Sequence, residues 1–426
     1  MRDSGAVLPQ VDPRGFDPSK LLAPEQALIA YFARVQLSPV GIERVPLDAA
    51  YARVLAGDAI AREDLPAHPR STMDGFAVAS AGALRLRIVG DVAMGRAAPR
   101  AIGADETLRI PTGGALPDGA DAVVPLEDVV EDGGFITLRG PVPPGDCLTP
   151  RAADMRAGEV LLQGGRTLGG PEMGVLATLG ISCVDVFKRP RFGVVSTGDE
   201  LIDVSGVPGA GQVRDSNRFA VAGALRAMGV DPVQLPRVPD DPEEMRAVLR
   251  AALEECDGVV LTGGSSVGER DFTPRVVGEL GLPGVVVHGI RVKPGKPTLL
   301  GAAHGKPVLG LPGNPASALM ILEAVVRPII AACTGRRPVA PGAIDAIASE
   351  AFAGRPGWTW FVPVRVVNRN GRLHAAPFTI RSSHVSLLSR ASGYVTIGEG
   401  APRIEAGDVV RVSLFSAGGA PIENER

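Results

Sequence analysis

A chain of 426 residues, 45% hydrophobic and 21% charged, is too long for one ordinary core and is expected to divide into two to four domains. Its formal net charge of −3 argues against a broad basic face for nucleic acid. No apolar run of about 18 residues stands out as a membrane span, and the N-terminal "MRDSGAVLPQVDPRGFDPSK" lacks the apolar centre of a secretory leader, so a cytoplasmic protein is expected. Cys147, Cys183, Cys256 and Cys333 are far apart with no CxxC spacing, which fits reduced structural thiols. The histidines are scattered too, so any metal is expected to be a hard ion held by oxygen.

In chain order, "PEQALIAYFARVQ" (24–36) carries an early proline and apolar positions at helical spacing, predicting an amphipathic helix. From about 55 to 150, short β-type runs ("LRLRIVG", "DAVVPLEDVV", "GFITLRG") alternate with Gly/Pro turns and predict a small β-rich domain. Residues 151–189 read as a helical connecting region, with "GGPEMGVLATLG" as its clearest helix.

From 190 to 335 the pattern is regular. Strand "RFGVVS" precedes helix "SNRFAVAGALRAMG", capped by Asp215 or Ser216 and stopped by Gly229. Strand "VQLPRV" precedes helix "PEEMRAVLRAALEE", where Asp241 is the N-cap and Pro242 the first helical residue. Strand "DGVVLT", a short helix from about 272, strands near "VVVHGIRV" and "KPVLGL", and the helix "ASALMILEAVVRPIIAACTG" ending at Gly335 complete the unit. This alternation predicts a parallel sheet covered on both faces. The last 85 or so residues hold further strand patterns and predict a small β-barrel or sandwich.

In an open α/β sheet, ligands bind beyond the carboxyl ends of the strands. The segments leaving these strands are "STGDEL" (196–201), "VPDD" (238–241), "TGGSSVGERD" (262–271), "RVKPGKP" (291–297) and "GLPGNPAS" (310–317), and one shared rim is expected. Gly263, Gly264 and Gly268 would let backbone N–H groups approach an anion, with Ser265 and Ser266 adding hydroxyls. Lys293 and Lys296, set among prolines and Gly295, supply compact positive charge. Asp199, Glu200, Asp240 and Asp271 would repel an anion unless a divalent cation lay between, so Mg²⁺ is expected. Ser71, Asp74 and Thr112 lie in a second concentration, "HPRSTMDGFAV" and "RIPTGGALPDGADAVVPLED", and could equally be turn residues.

The motifs "STMDGFAV", "RIPTGGALPDGADAVV", "VSTGDEL", "VRDSN", "TGGSSVGERDF", "VKPGKP" and "GLPGNPAS" occur in that order. Together they resemble the molybdopterin molybdotransferases, the bacterial MoeA proteins and the gephyrin E domain, from about residue 20 onward. The resemblance implies a discontinuous linker domain (20–55 and 150–189), a β-rich insert (56–149), a doubly wound α/β molybdopterin-binding domain (190–335) and a C-terminal β-barrel (340–422). It implies a homodimer that inserts molybdate into adenylylated molybdopterin with Mg²⁺ and releases AMP, in a cleft between subunits. A molybdopterin adenylyltransferase and client molybdoenzymes would be its partners.

Carried over by position, Asp271, Glu200, Asp240 and Asp154 are the implied catalytic residues, with the first three at the metal. Thr112, Lys293 and Ser383 are carried over in the same way as cofactor-binding positions, and the rim and turn residues Ser71, Asp74, Thr197, Gly198, Asp199, Gly263, Gly264, Ser265, Ser266, Gly295, Lys296, Pro312, Gly313 and Asn314 complete the expected cofactor-binding set. The chain departs from the family pattern at His68-Pro69-Arg70-Ser71, where an acidic residue is missing, and at Ala152-Ala153-Asp154, where Gly-Glu-Asp is usual. It departs again at Gly289, and at Pro363 in place of a barrel arginine. These changes leave open a second expectation, a paralogue that binds or carries the cofactor without turnover. A gephyrin-like scaffold and an adenylyl-transferring enzyme are less favoured, the first for want of an appended domain or long linker, the second because of the added β domains.

Overall fold

The computed structural model describes residues 21–263, 272–338, 340, 342–378, 384–401, 403–415 and 419–424. Gly264, Ser265, Ser266, Gly268, Asp271 and Ser383 therefore lie outside the described residues.

The first helix runs Pro24–Phe32, with Pro24 in its first turn and Ala27 and Tyr31 facing inward. It is shorter than the periodicity suggested. Next, the strand Ile42–Pro46 pairs antiparallel with Cys183–Phe187, which also pairs with Val54–Leu55. The 151–189 stretch is thus not chiefly helical. It holds the predicted helix, Gly170–Thr178, but also the strands Val160–Leu162 and Cys183–Phe187. Its alternating Val184 and Val186 bury one face with Leu55, Leu168 and Leu176, a period of two that a short window hides.

Between these partners sits a six-stranded sheet in the order Ala122–Pro125, Gly75–Val78, Glu106–Ile110, Arg85–Asp91, Phe135–Leu138, Val129–Asp132. Its faces bury two clusters, one around Phe76, Leu86 and Ile136, the other around Leu108, Ile110 and Val123. The α/β unit is also six-stranded, in the order Asp231–Gln234, Arg191–Ser196, Gly258–Thr262, Lys306–Leu311, Leu299–Ala303, Pro283–His288. It is not wholly parallel. Leu299–Ala303 pairs antiparallel with both neighbours, returning through the turn at His304-Gly305, where both residues have positive φ.

Helices cover both faces of this sheet, with one cluster around Val221, Leu225, Leu309 and Ile329 and another around Leu249, Leu261 and Val276. The last helix runs from Pro315 to Thr334 with one wider turn at Leu322–Val326, immediately before Pro328, which has no N–H to donate. Contrary to expectation, these twenty residues are long and apolar enough to cross a membrane, but two-thirds of the stretch is buried in the core.

At the C-terminus, Ala343–Ala348, Thr359–Arg369, Arg372–Pro377, Gly393–Ile397 and Val409–Leu414 close on themselves, since Thr359–Arg369 pairs with both Arg372–Pro377 and Gly393–Ile397. The result is a closed barrel, which removes its own sheet edges. Phe361 and Tyr394 of the barrel and Tyr31 of the first helix join the α/β core.

Candidate functional site

Four of the five expected loops meet where the parallel strands end. Thr197 N–H donates to Thr262 O at 2.9 Å, Gly198 N–H to Val238 O at 3.2 Å and Gly263 N–H to Leu311 O at 3.3 Å. These bonds continue the pairing just beyond the strands Arg191–Ser196 and Gly258–Thr262 and fix the loops to one another. Gly263 has φ +97°, and a Cβ there would lie 2.2 Å from Thr197 O, so no other residue fits. Its role differs from the one expected: its N–H is spent on Leu311 and is not offered to an anion. Gly313 passes close above it, a Cβ on Gly313 falling 3.4 Å from the Gly263 Cα.

Asn217, in the first turn of helix Asn217–Ala227, donates from Nδ2 to Gly313 O at 2.7 Å. Asp215 settles the capping alternative. Its buried carboxylate accepts from Arg218 N–H at 3.1 Å and from the Ser196 hydroxyl at 2.9 Å, whereas the Ser216 side chain makes no cap. Sequence reading assigned no site role to Asn217. The signal was its place in "VRDSN", directly after a rim strand's loop. At the adjacent loop Asp241 caps the helix Pro242–Glu255, as expected, by accepting from Glu243 and Glu244 N–H.

The carboxylates on this rim face solvent. Asp199, Glu200 and Asp240 are exposed. Asp240 N–H donates to Asp199 Oδ1 at 3.1 Å, and Glu200 folds back so that a Cβ on Gly198 would meet its Oε2 at 2.5 Å. Among the described residues no three His, Cys, Asp or Glu side chains are grouped closely enough to hold a metal by themselves. Asn314 starts the helix Pro315–Ile321 from an exposed position without capping it through its side chain, and Pro312 is buried beneath.

The fifth loop takes a different anchorage. Val292–Lys293 pairs parallel with Thr359–Trp360 of the barrel, and Lys293 Nζ stands 4.0 Å from the Trp360 ring centroid, an attractive cation–π distance. Gly295 is pressed against Ile321, and Thr298 closes the turn by donating to Gly295 O at 2.7 Å. Lys296 is half-buried, its backbone O accepting from Ile290 N–H at 2.9 Å.

In the β-rich unit, Ser71, Asp74 and Thr112 are brought together by one pair of turns. Asp74 Oδ1 accepts from Thr112 N–H at 2.7 Å and from its hydroxyl at 3.0 Å. These bonds hold the Asp74 carboxyl below the usual range, the backbone donor contributing most. Ser71 is buried, and its hydroxyl serves Met73 O and N–H of its own turn, so it is engaged locally. Asp154 is exposed, and its N–H donates to Leu65 O. The preceding Ala152 has φ +59°, the left-handed conformation that a glycine would occupy without strain. Pro363 lies buried in the barrel strand opposite Tyr394, and Arg365 is paired with Glu423.

Comparison with known proteins agrees with this layout. Residues 22–180 match the MoeA N-terminal region (domain I and II), residues 193–332 a probable molybdopterin binding domain and residues 345–415 the MoeA C-terminal region (domain IV). The molybdopterin molybdenumtransferase of Bacillus subtilis is 30% identical, covering 88% of this chain and 90% of its own. That of Haemophilus influenzae is 31% identical, covering 89% and 95%. Among solved structures, a molybdopterin biosynthesis MoeA protein of Pyrococcus horikoshii superposes with TM-score 0.76 at 33% identity, covering 93% of this chain and 99% of that one. Matched along nearly its whole length and in every domain, the chain belongs to the molybdopterin molybdenumtransferase family.

Proposed function

We propose that this protein inserts molybdate into adenylylated molybdopterin with Mg²⁺ and releases AMP. The observation that carries the reading is the loop rim itself: four backbone-locked loops present Asp199, Glu200 and Asp240 to solvent, on the segment matching a molybdopterin-binding model. The donor chemistry suits Mg²⁺, which usually takes one or two carboxylates and completes its shell with phosphate oxygens and water. Glu200, Asp240 and Asp271 would hold it, where it would offset charge on the diphosphate as the bond to AMP breaks.

The protein's own groups divide the remaining work. Thr197, Gly198 and Gly263 hold the floor of the site. Asn217 keeps the Pro312-Gly313-Asn314 turn over that floor, and Gly264, Ser265 and Ser266 contribute donors for the diphosphate. Lys293, steadied on Trp360, and Lys296, beside Gly295, attract the anionic substrates. Ser71, Asp74, Thr112, Asp154 and Ser383 would come from the second subunit of a homodimer, closing the cleft over the rim. Hand-over from a molybdopterin adenylyltransferase and delivery to client molybdoenzymes, in the cytoplasm, complete the proposal.

A cofactor-carrying paralogue is the second reading. It rests on Pro363 standing at the barrel position where the family pattern has arginine, while the neighbouring Arg365 is tied to Glu423. The deciding experiment mixes purified protein with adenylylated molybdopterin and Mg²⁺ and measures AMP with and without micromolar molybdate. Molybdate-dependent AMP release is expected. Bound but uncleaved nucleotide would overturn the transferase reading in favour of the carrier.

A further inference from the structure

A cavity of about 800 Å³ opens at the junction of three parts of the molecule, away from the loop rim. Its walls are the strand Val160–Leu162 with the turn after it, the last α/β helix from Glu323 to Ala331, the residues Arg336, Arg337, Pro338 and Ala340, and Tyr394 of the barrel. Helix Asn217–Ala227 starts at the rim through Asn217, and its C-cap, Met228, is a wall residue. The last helix starts at Asn314 and ends just before Gly335. Twenty helical residues span about 30 Å, so Met228, Arg336 and Arg337 lie at the end of the α/β unit opposite the rim.

The lining is strongly cationic. Arg166, Arg327, Arg336 and Arg337 face it, against Glu323. Two of these charges are met: Arg327 by Glu323 at 2.9 Å and Arg166 by Glu172 at 2.6 Å. The other two have no carboxylate within salt-bridge distance among the described residues. Arg337 donates from Nε to Gly164 O at 2.8 Å and to the Gln163 side chain. Arg336 reaches Ala227 O at 3.4 Å, and its buried Nε has no partner. Burial and the nearby Arg327 and Arg189 guanidiniums all disfavour the Arg336 charge.

The placement is built into the backbone. Gly229 has φ +85°, and a Cβ there would stand 3.0 Å from Arg336 Nη2 and 3.4 Å from its Cζ. The helix stop therefore also makes the bed on which the guanidinium lies. Arg336 is half-buried with no carboxylate against it among the described residues, and such a cation destabilises a fold unless an anion meets it. Leu161, Met228, Ile330 and Tyr394 give the same cavity an apolar wall.

We propose that the junction cavity binds a small anion, its phosphate or carboxylate held by Arg336 and Arg337 and its apolar body laid against Leu161, Met228 and Ile330. The volume lies within the range of small-molecule pockets, roughly 300–1,000 Å³, and a guanidinium lining such a cavity suits planar or tetrahedral oxyanions. This site is separate from the rim and does not depend on the reaction proposed there.

Isothermal titration of the full chain with phenyl phosphate, benzoate and inorganic phosphate tests it. At least one aromatic anion is expected to bind in a 1:1 ratio and more tightly than inorganic phosphate. The phosphate and carboxylate probes tell the two head groups apart. R336M and R337M should each weaken that binding at least about tenfold, which is 1.4 kcal/mol. Arg337 is exposed, so R337M keeps the test available if R336M fails to fold. A third variant, A324F, fills the apolar side, should also lower affinity, and leaves the arginines in place. No binding by either aromatic probe, or equal binding by R337M and the parent chain, overturns the proposal.

Discussion

The rim loops and the β-rich turns draw on the same residue types, yet they differ in how the loops are tied together. At the rim, backbone pairs with backbone: Thr197 with Thr262, Gly198 with Val238, Gly263 with Leu311. The side chains of Asp199, Glu200 and Asp240 stay exposed, although Asp199 Oδ1 also accepts from Asp240 N–H. In the β-rich unit, side chains satisfy backbone and each other, Asp74 taking both donors of Thr112 and Ser71 closing its own turn. A carboxylate that the fold leaves exposed, as it does Glu200, remains available to a ligand. One that it does use serves the fold first.

The comparison breaks hardest at Glu200. Substituting Glu200→Gln removes an exposed charge with no ion pair among the described residues, so stability should stay within about 0.5 kcal/mol. Molybdate-dependent AMP release should fall by about a hundredfold or more. Retained activity, or a large drop in melting temperature, would place Glu200 in the structural class instead.

Gly263→Ala probes the backbone lock. The added methyl meets Thr197 O at a left-handed φ, and a cost of about 3 kcal/mol is expected in urea unfolding. A value near zero would mean that the loops are not fixed to one another as described.

The smallest effect concerns Asp74. Its carboxyl is held below the ordinary value of about 3.9, chiefly by Thr112 N–H and then by the hydroxyl. A depressed folded-state value contributes stability above the unfolded value and loses it as pH falls through the folded one. Thr112→Ala removes only the hydroxyl, so the Asp74 titration followed by NMR should move up part of the way. The stability difference between variant and parent should be present at neutral pH and fade in acid. An unmoved titration would show that the hydroxyl contributes nothing.

How much of this could be read from the sequence depended on how local the cause was. The helix Pro242–Glu255 was legible to the residue, because Asp241, Pro242 and the helical spacing all sit within a few positions. Four of the five rim loops were legible for a similar reason, each lying close after an apolar strand, whereas the loop 291–297 is anchored on the barrel. Leu299–Ala303 was missed. Its Gly and Ala residues lack the β-branched signature, and its antiparallel course breaks the βα alternation that guided the reading. Ala343–Ala348 escaped in the same way, with small alanines marking its buried side. The Asp74–Thr112 pair was visible only as two turn residues, since its hydrogen bonds cross 38 positions. The junction cavity was not visible at all: its walls come from Val160, Glu323, Arg336 and Tyr394, residues ordinary in their own neighbourhoods.

The three-stranded sheet that carries the β-rich unit has a consequence for how the chain is made. Its middle strand is Cys183–Phe187, and its two edges, Ile42–Pro46 and Val54–Leu55, do not pair with each other. Both edges leave the ribosome first, and the strand that joins them follows only after the whole inserted unit has been synthesised. At roughly 5–20 residues per second, the early strands wait on the order of ten seconds for their partner. The insert can fold during that interval and brings the chain ends of its host together. Translation thus completes the guest before the host.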